Sequence, residues 1–172
     1  VPTHELVICP ATAGDLDVVG DIYAHYVTSS VATFDENPPE ASDWQRKLDD
    51  LNARHLPFLI ARAGDEIVGF AYAAPWRVKP AYRYSVEDTI YLAPDRTGRG
   101  TGRALLDALL RQCAASGVRQ VIAVIADTGS DASVTLHRSV GFREVGRLTG
   151  VGHKHGRWID TVLMQLDLTD QS

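Results

Sequence analysis

The sequence predicts a single mixed α/β domain, and three observations carry that reading. Short apolar or alternating runs, the mark of strands, are interleaved with segments whose apolar residues recur at helical spacing. Residues 86–106 read as strand, glycine-rich turn and helix in direct succession. The 172 residues contain no internal repeat or low-complexity stretch, and a chain of that size can bury roughly two-thirds of its unfolded surface in one core.

The elements follow in order. Residues 5–9, with Leu6, Val7 and Ile8, form a first strand. Thr12 is placed to cap a helix, with Asp15 near the positive end of its dipole. Leu16, Val19, Ile22, Tyr23, Tyr26 and Val27 supply the helical stripe. Ser29 and Ser30 break it, residues 31–34 are short and extended or irregular, and Asn37-Pro38-Pro39 forbids helix. Ser42 is expected to cap a second helix running to about Ala53, with Trp44, Leu48 and Leu51 inward. Residues 58–62 and 66–73 are strands joined through Ala63-Gly64-Asp65, a hairpin signal.

Residues 75–84 are basic, aromatic and broken by proline, hence a loop. Ile90, Tyr91 and Leu92 suit a pleated surface, and Pro94 ends that strand. Past the glycines, Leu105, Leu106, Leu109 and Leu110 line one helix face. Residues 121–126 are almost wholly apolar, as at the centre of a sheet. A helix begins within Ser130-Asp131-Ala132-Ser133, carries Val134, Leu136 and His137, and stops at Gly141. Residues 142–148 and 157–168 are final strands, with residues 150–156 as the joining loop. The order is β-α-α-β-β-β-α-β-α-β-β.

Composition narrows function. A net charge of −5 and a pI near 5.6 argue against a nucleic-acid partner held on a broad basic face. No apolar run reaches the 18 or so residues of a membrane span, and no basic segment followed by an apolar core marks export. Cys9 and Cys113 have no spacing pattern, so reduced thiols in a cytoplasmic protein are expected. A strand feeding a glycine turn at a helix N-terminus suits a phosphate or pyrophosphate; a tight turn without ligand is the alternative. No Gly-Lys-Ser/Thr follows, which argues against a P-loop, and the spacing differs from the dinucleotide G-x-G-x-x-G.

Thr97-Gly98-Arg99-Gly100-Thr101-Gly102 resembles the acetyl-CoA pyrophosphate loop of the GCN5-related N-acetyltransferases (GNAT), Gln/Arg-x-x-Gly-x-Gly/Ala. Thr97 stands where that family usually has Gln or Arg, which costs one side-chain contact but not the backbone cradle. The order of elements along nearly the whole chain is similar too. Four segments narrow the resemblance to the phosphinothricin and methionine sulfoximine N-acetyltransferases: Trp76-Arg77, residues 85–91, residues 133–142 and residues 153–160. The resemblance implies a single GNAT domain over residues 1–172. It also implies a mixed, mostly antiparallel seven-stranded sheet, flanked by about four helices and splayed between strands 4 and 5. It further implies acetyl-CoA as co-substrate, no metal, and a homodimer whose partner subunit could complete the pocket through residues 153–158.

Acetyl transfer to an amine needs a base, because an ammonium has no lone pair, and a donor for the developing oxyanion. The resemblance places the family's glutamate at Glu87; the plain alternative is a solvent-facing strand residue. Backbone N–H groups of Ile90, Tyr91 and Leu92 are candidates for the thioester carbonyl and the pantetheine amides, and the Tyr91 ring either lines the acetyl pocket or is core. His137 occupies the place of a thiolate-protonating tyrosine in many relatives and of a histidine in this subgroup, so it either donates to sulfur, orients substrate or caps the core. Ser130 stands where relatives have an asparagine on pantetheine, with Ser133 nearby at the same helix start. Arg77 and Lys79, flanked by Trp76 and Tyr82, suit an acidic substrate, and the resemblance implies that Phe34 packs nearby; a solvated loop is the alternative. His153, Lys154 and His155 lack a third ligand at metal spacing. The expected activity is acetyl-CoA-dependent N-acetylation of a small acidic amino-acid analogue. The alternatives are another small amine, or a catalytically silent acyl-CoA sensor.

Overall fold

In the computed structural model of the protein, residues 4–169 are described. Seven strands, β1 (Leu6–Pro10), β2 (Phe58–Ala63), β3 (Glu66–Pro75), β4 (Ser85–Leu92), β5 (Gln120–Ala126), β6 (Arg143–Lys154) and β7 (Arg157–Asp167), make one sheet. Their order is β1-β2-β3-β4-β5-β7-β6, and every neighbouring pair is antiparallel except β4 and β5. Four helices cover it: α1 (Leu16–Ser29), α2 (Ala41–Ala53), α3 (Thr101–Ala115) and α4 (Ala132–Ser139). None of them is long and apolar enough to cross a membrane.

The predicted splay is present. The parallel pairing of β4 with β5 covers only Ser85–Glu87 against Gln120–Ile122. Beyond Glu87 the two strands part, although β4 remains paired with β3 as far as Leu92. Two packed layers hold the sheet open there. On one face, Leu105, Leu106 and Leu109 of α3 are fully buried against Val86, Val121 and Met164. On the other, Val19 and Ile22 of α1 and Trp44 and Leu48 of α2 pack on Phe58 and Phe70. Each such side chain contributes about 1.5–3 kcal/mol by leaving water.

Three boundaries differ from the sequence expectation, each for a local reason. The first helix opens as a 3-10 turn at Ala13–Asp15, and the Thr12 N–H donates to Asp15 Oδ2 at 2.8 Å. Asp15 is buried and its charge is met by Arg62 across the chain, at 2.5 Å. The second helix is capped at Glu40 rather than Ser42. Asp43 reaches back to accept the Glu40 N–H at 2.8 Å, so the helix starts as soon as Pro38-Pro39 releases the chain. Residues 150–154 are strand, not loop. The turn is His155-Gly156 alone, with φ of 50° and 70°, a two-residue hairpin turn. Gly150 instead serves a bulge between Leu148 and Gly152.

Candidate active site

Where β4 leaves β5, a cleft of ≈ 520 Å³ opens between the two packed layers. Alternation along β4 decides what each residue faces. Val86 and Asp88 point into the α3 layer, where both are buried, whereas Glu87 and Tyr91 face the α1 side. β5 lends the opposite wall with Val124, which is 38% exposed because it faces the gap. The apolar run of β5 therefore fills a core on one face and lines the cleft on the other.

Backbone groups alternate too. Ala93 N–H donates to Val68 O at 2.9 Å, toward β3. Tyr91 must then face β3 as well, leaving the N–H groups of Ile90 and Leu92 directed into the gap. Of the three amides expected from the sequence, two are thus available to a ligand and Tyr91 contributes its side chain instead. Tyr26 OH donates to the Leu92 carbonyl at 2.5 Å and fixes the end of the splayed strand. Replacing Tyr26 by Phe leaves that carbonyl without its donor and is expected to raise KM for the acyl donor roughly fivefold, about 1 kcal/mol. Steady-state kinetics at saturating amine reads it.

Glu87 is half-buried on the cleft wall. Burial holds its carboxyl above the usual carboxylate range, the neighbouring charge of Asp88 adds to this, and Arg77 and Lys47 oppose it. A carboxylate so placed is a better base than one in water. Burial also raises the phenols of Tyr23, Tyr26 and Tyr91, so all three are neutral donors at working pH. Lys47 Nζ lies over the Tyr72 ring, 4.7 Å from its centroid. Tyr72 faces Thr89 and Ala74 faces Glu87 across the β3–β4 register, which puts that ammonium beside the carboxylate.

The glycines of the turn have two different jobs. Gly98 and Gly100 have φ of 75° and 81°, a conformation side chains rarely adopt, and a Cβ at either would meet no protein atom within 4 Å. Gly102 sits inside α3 where a Cβ would lie 3.3 Å from Leu136 Cδ2, so it permits α3 and α4 to approach. Thr101 is buried at the first turn of α3, Arg99 is exposed, and Thr97 reaches the cleft.

The remaining expected residues divide into two groups. Phe34, Ser130, Ser133 and His137 all line the cleft with Glu87. The Phe34 ring covers Gly152, where a Cβ would lie within 3.0 Å of three ring carbons. Trp76, Arg77, Lys79 and Tyr82 do not line it; their loop projects into solvent, with Lys79 and Tyr82 exposed. The Arg77 guanidinium stacks 4.7 Å from the Trp76 ring centroid and acts on Glu87 through its charge. His137 is 2% exposed and both its ring nitrogens are engaged, Nδ1 with Ser133 O and Nε2 with Asp88 Oδ2, each at 2.7 Å. His153 packs on Trp158, centroids 4.6 Å apart, and His155 occupies the turn.

Sequence reasoning missed Tyr72, Thr33, Lys47, Lys154 and Asp88. Asp88 carried a signal: it shares a strand face with Val86, and a carboxylate on a buried face requires a partner. Tyr23 and Tyr26, part of the helical stripe expected from the sequence, do pack in the core, and both also line the cleft.

A splayed β4/β5 pair with a carboxylate at the fork and a glycine turn leading into the next helix defines the GNAT class. The chain belongs to that family: residues 8–163 match the acetyltransferase (GNAT) domain, and the protein is an N-acetyltransferase. It is 41% identical over 169 residues to a phosphinothricin N-acetyltransferase of Alcaligenes faecalis, covering 95% of this chain and 86% of that one. It is 35% identical over 159 residues to an L-methionine sulfoximine/L-methionine sulfone acetyltransferase of Pseudomonas aeruginosa, covering 92% of each. Among solved structures, a phosphinothricin acetyltransferase from Sinorhizobium meliloti, in complex with AcCoA, superposes with a TM-score of 0.90 at 39% identity, covering 95% and 88% of the two chains.

Proposed function

We propose that the protein transfers an acetyl group from acetyl-CoA to the α-amino group of a small acidic amino-acid analogue, of the phosphinothricin, methionine sulfoximine or methionine sulfone kind. The observation that carries this reading is Glu87, half-buried at the fork of the splay, beside the unpaired N–H groups of Ile90 and Leu92. These amides fit the pantetheine arm and the thioester carbonyl. The open backbone of Gly98 and Gly100 at the start of α3 fits the pyrophosphate.

Glu87 takes a proton from the substrate ammonium, directly or through one water. The freed nitrogen lone pair forms the new C–N bond, the carbonyl oxygen takes up charge against the strand amides, and the C–S bond breaks. The attacking nitrogen, cationic once the C–N bond has formed, loses its second proton to solvent, and the departing thiolate takes up a proton from solvent in turn. His137 enters as an orienting group, since neither ring nitrogen is free to meet sulfur.

The acidic end of the substrate calls for cations, and Arg77 and Lys47 approach Glu87 from two different elements. The names of the relatives support the same class. The exposed Val151 and Trp158 on the outer face of β6 and β7 suit a second copy of the chain. Release of CoA thiol with a panel of amino acids tests the assignment. Turnover of phosphinothricin and methionine sulfoximine is expected, with Arg77→Ala raising their KM roughly threefold, as for loss of a solvent-screened charge that acts on the cleft from outside it. Acetylation of neutral amines alone would sink the acidic-substrate reading.

A further inference from the structure

At the fork of the splay lies a buried pair that the reaction as described does not use. Asp88 is the first residue of β4 past its pairing with β5, and its side chain is 1% exposed; that of His137, on α4, is 3% exposed. The Ser133 carbonyl can only accept, so the hydrogen on that 2.7 Å contact belongs to His137 Nδ1. The Nε2 to Asp88 Oδ2 contact, also 2.7 Å, then requires one proton between two atoms that would otherwise both be acceptors. The ring is held edge-on by Phe142, centroids 4.9 Å apart, so it cannot turn away. Among the described residues Asp88 Oδ1 has no hydrogen-bond partner, which leaves His137 as the group that compensates the carboxylate.

We propose that Asp88 is a positioning residue of the reaction: through the one proton it shares with His137 it pins α4 to the splayed strand and fixes the charge standing beside Glu87. The proposal rests on Glu87 as the base. Among the described residues, His137 from α4 and the Cys113 thiol from α3 face Asp88, and burial pushes that thiol up to about 12 and keeps it neutral. Around Glu87 stand Arg77 from the loop after β3, Lys47 from α2, and the phenols of Tyr23, Tyr72 and Tyr91 along the cleft. Asp88 is the acidic neighbour that acts on Glu87, and burial of His137 is outweighed by Asp88 and the Ser133 carbonyl, which favour the imidazolium. The pair therefore sets how strongly the Asp88 carboxylate is felt next door.

Two substitutions separate this from a merely structural tie. In Asp88→Asn the amide N–H can donate to a neutral Nε2, so the link between β4 and α4 survives while the carboxylate charge is gone. In His137→Gln an amide can still reach Asp88, but the compensating cation is gone. With methionine sulfoximine as acceptor, the lower limb of the kcat/KM–pH profile is expected to move up by about one unit in His137→Gln, which leaves the carboxylate uncompensated, and down by less in Asp88→Asn, which removes the neighbouring carboxylate together with the imidazolium charge. The 15N shifts of His137 should show both ring nitrogens protonated at pH 7.5 in the wild type and one in Asp88→Asn. A wild-type ring that is neutral at pH 7.5, or limbs that stay put or move in the same direction, overturn the proposal. A fully active Glu87→Gln overturns instead the base assignment beneath it.

Discussion

Glu87→Gln is expected to lower kcat by about 10²–10⁴-fold near neutral pH, the range for loss of a positioned general base, while acetyl-CoA binds as before. The amide keeps the size and cleft position of the carboxyl and cannot accept the ammonium proton. The strand amides proposed to hold acetyl-CoA, those of Ile90 and Leu92, are backbone and unaffected. The pH dependence carries the sign. Burial and Asp88 place the Glu87 carboxyl above the usual carboxylate range, with Arg77 and Lys47 pulling it back. As pH falls through that raised range the wild type loses its base and its rate; the Gln variant has no such limb. Thiol release measured from pH 5 to 9, with calorimetric titration of acetyl-CoA, checks both halves. A Gln variant within tenfold of wild type would leave the enzyme but remove its proposed base.

The fold was legible because its signals are local. The strand–turn–helix at residues 86–106 announces itself by β-favouring residues, a proline stop, glycines and a leucine stripe, and its segments became β4 and α3. The splay came only through resemblance, since nothing in the composition of β4 says where its pairing with β5 stops. Residues 150–156 misled because glycine has more than one use. There it allows a bulge and the close approach of Phe34, neither of which requires a loop. The site was half legible for a related reason. Glu87, Phe34 and the glycine turn sit in recognisable strings, whereas Tyr72, which lines the cleft, and Lys47 and Lys154, which act on residues that line it, occupy helix and strand positions whose local pattern is ordinary. Their roles arise from tertiary placement: a lysine over a tyrosine ring, and a lysine buried 121 residues from its partner carbonyl.

That second lysine supports the other large expected effect. Lys154 is 3% exposed, and its ammonium donates to Thr33 O at 2.8 Å, tying β6 to the segment that carries Phe34. The same segment is held from the far side by Tyr23, whose hydroxyl meets Thr33 Oγ1 at 2.7 Å and also the Asp35 carboxylate. Residues 31–35 are thus clamped between α1 and β6, with the Phe34 ring resting on Gly152 at the cleft edge. Lys154→Met leaves a buried carbonyl without a donor, a cost of about 1–3 kcal/mol. Part of that cost should appear as lower stability. The rest should raise the KM of the acceptor amine, at most by roughly 150-fold if all of it fell there, with the KM of acetyl-CoA changed less than about twofold because Ile90, Leu92 and the glycine turn lie elsewhere. Gly152→Ala pushes the Phe34 ring off its seat and should move the same constant in the same direction. Because both act on one segment, the double variant should fall short of the sum, the non-additivity expected of neighbouring residues. Equal rises in both Michaelis constants, or strict additivity, would show that the hairpin steadies the fold as a whole and leaves the acceptor side of the cleft no special dependence on it.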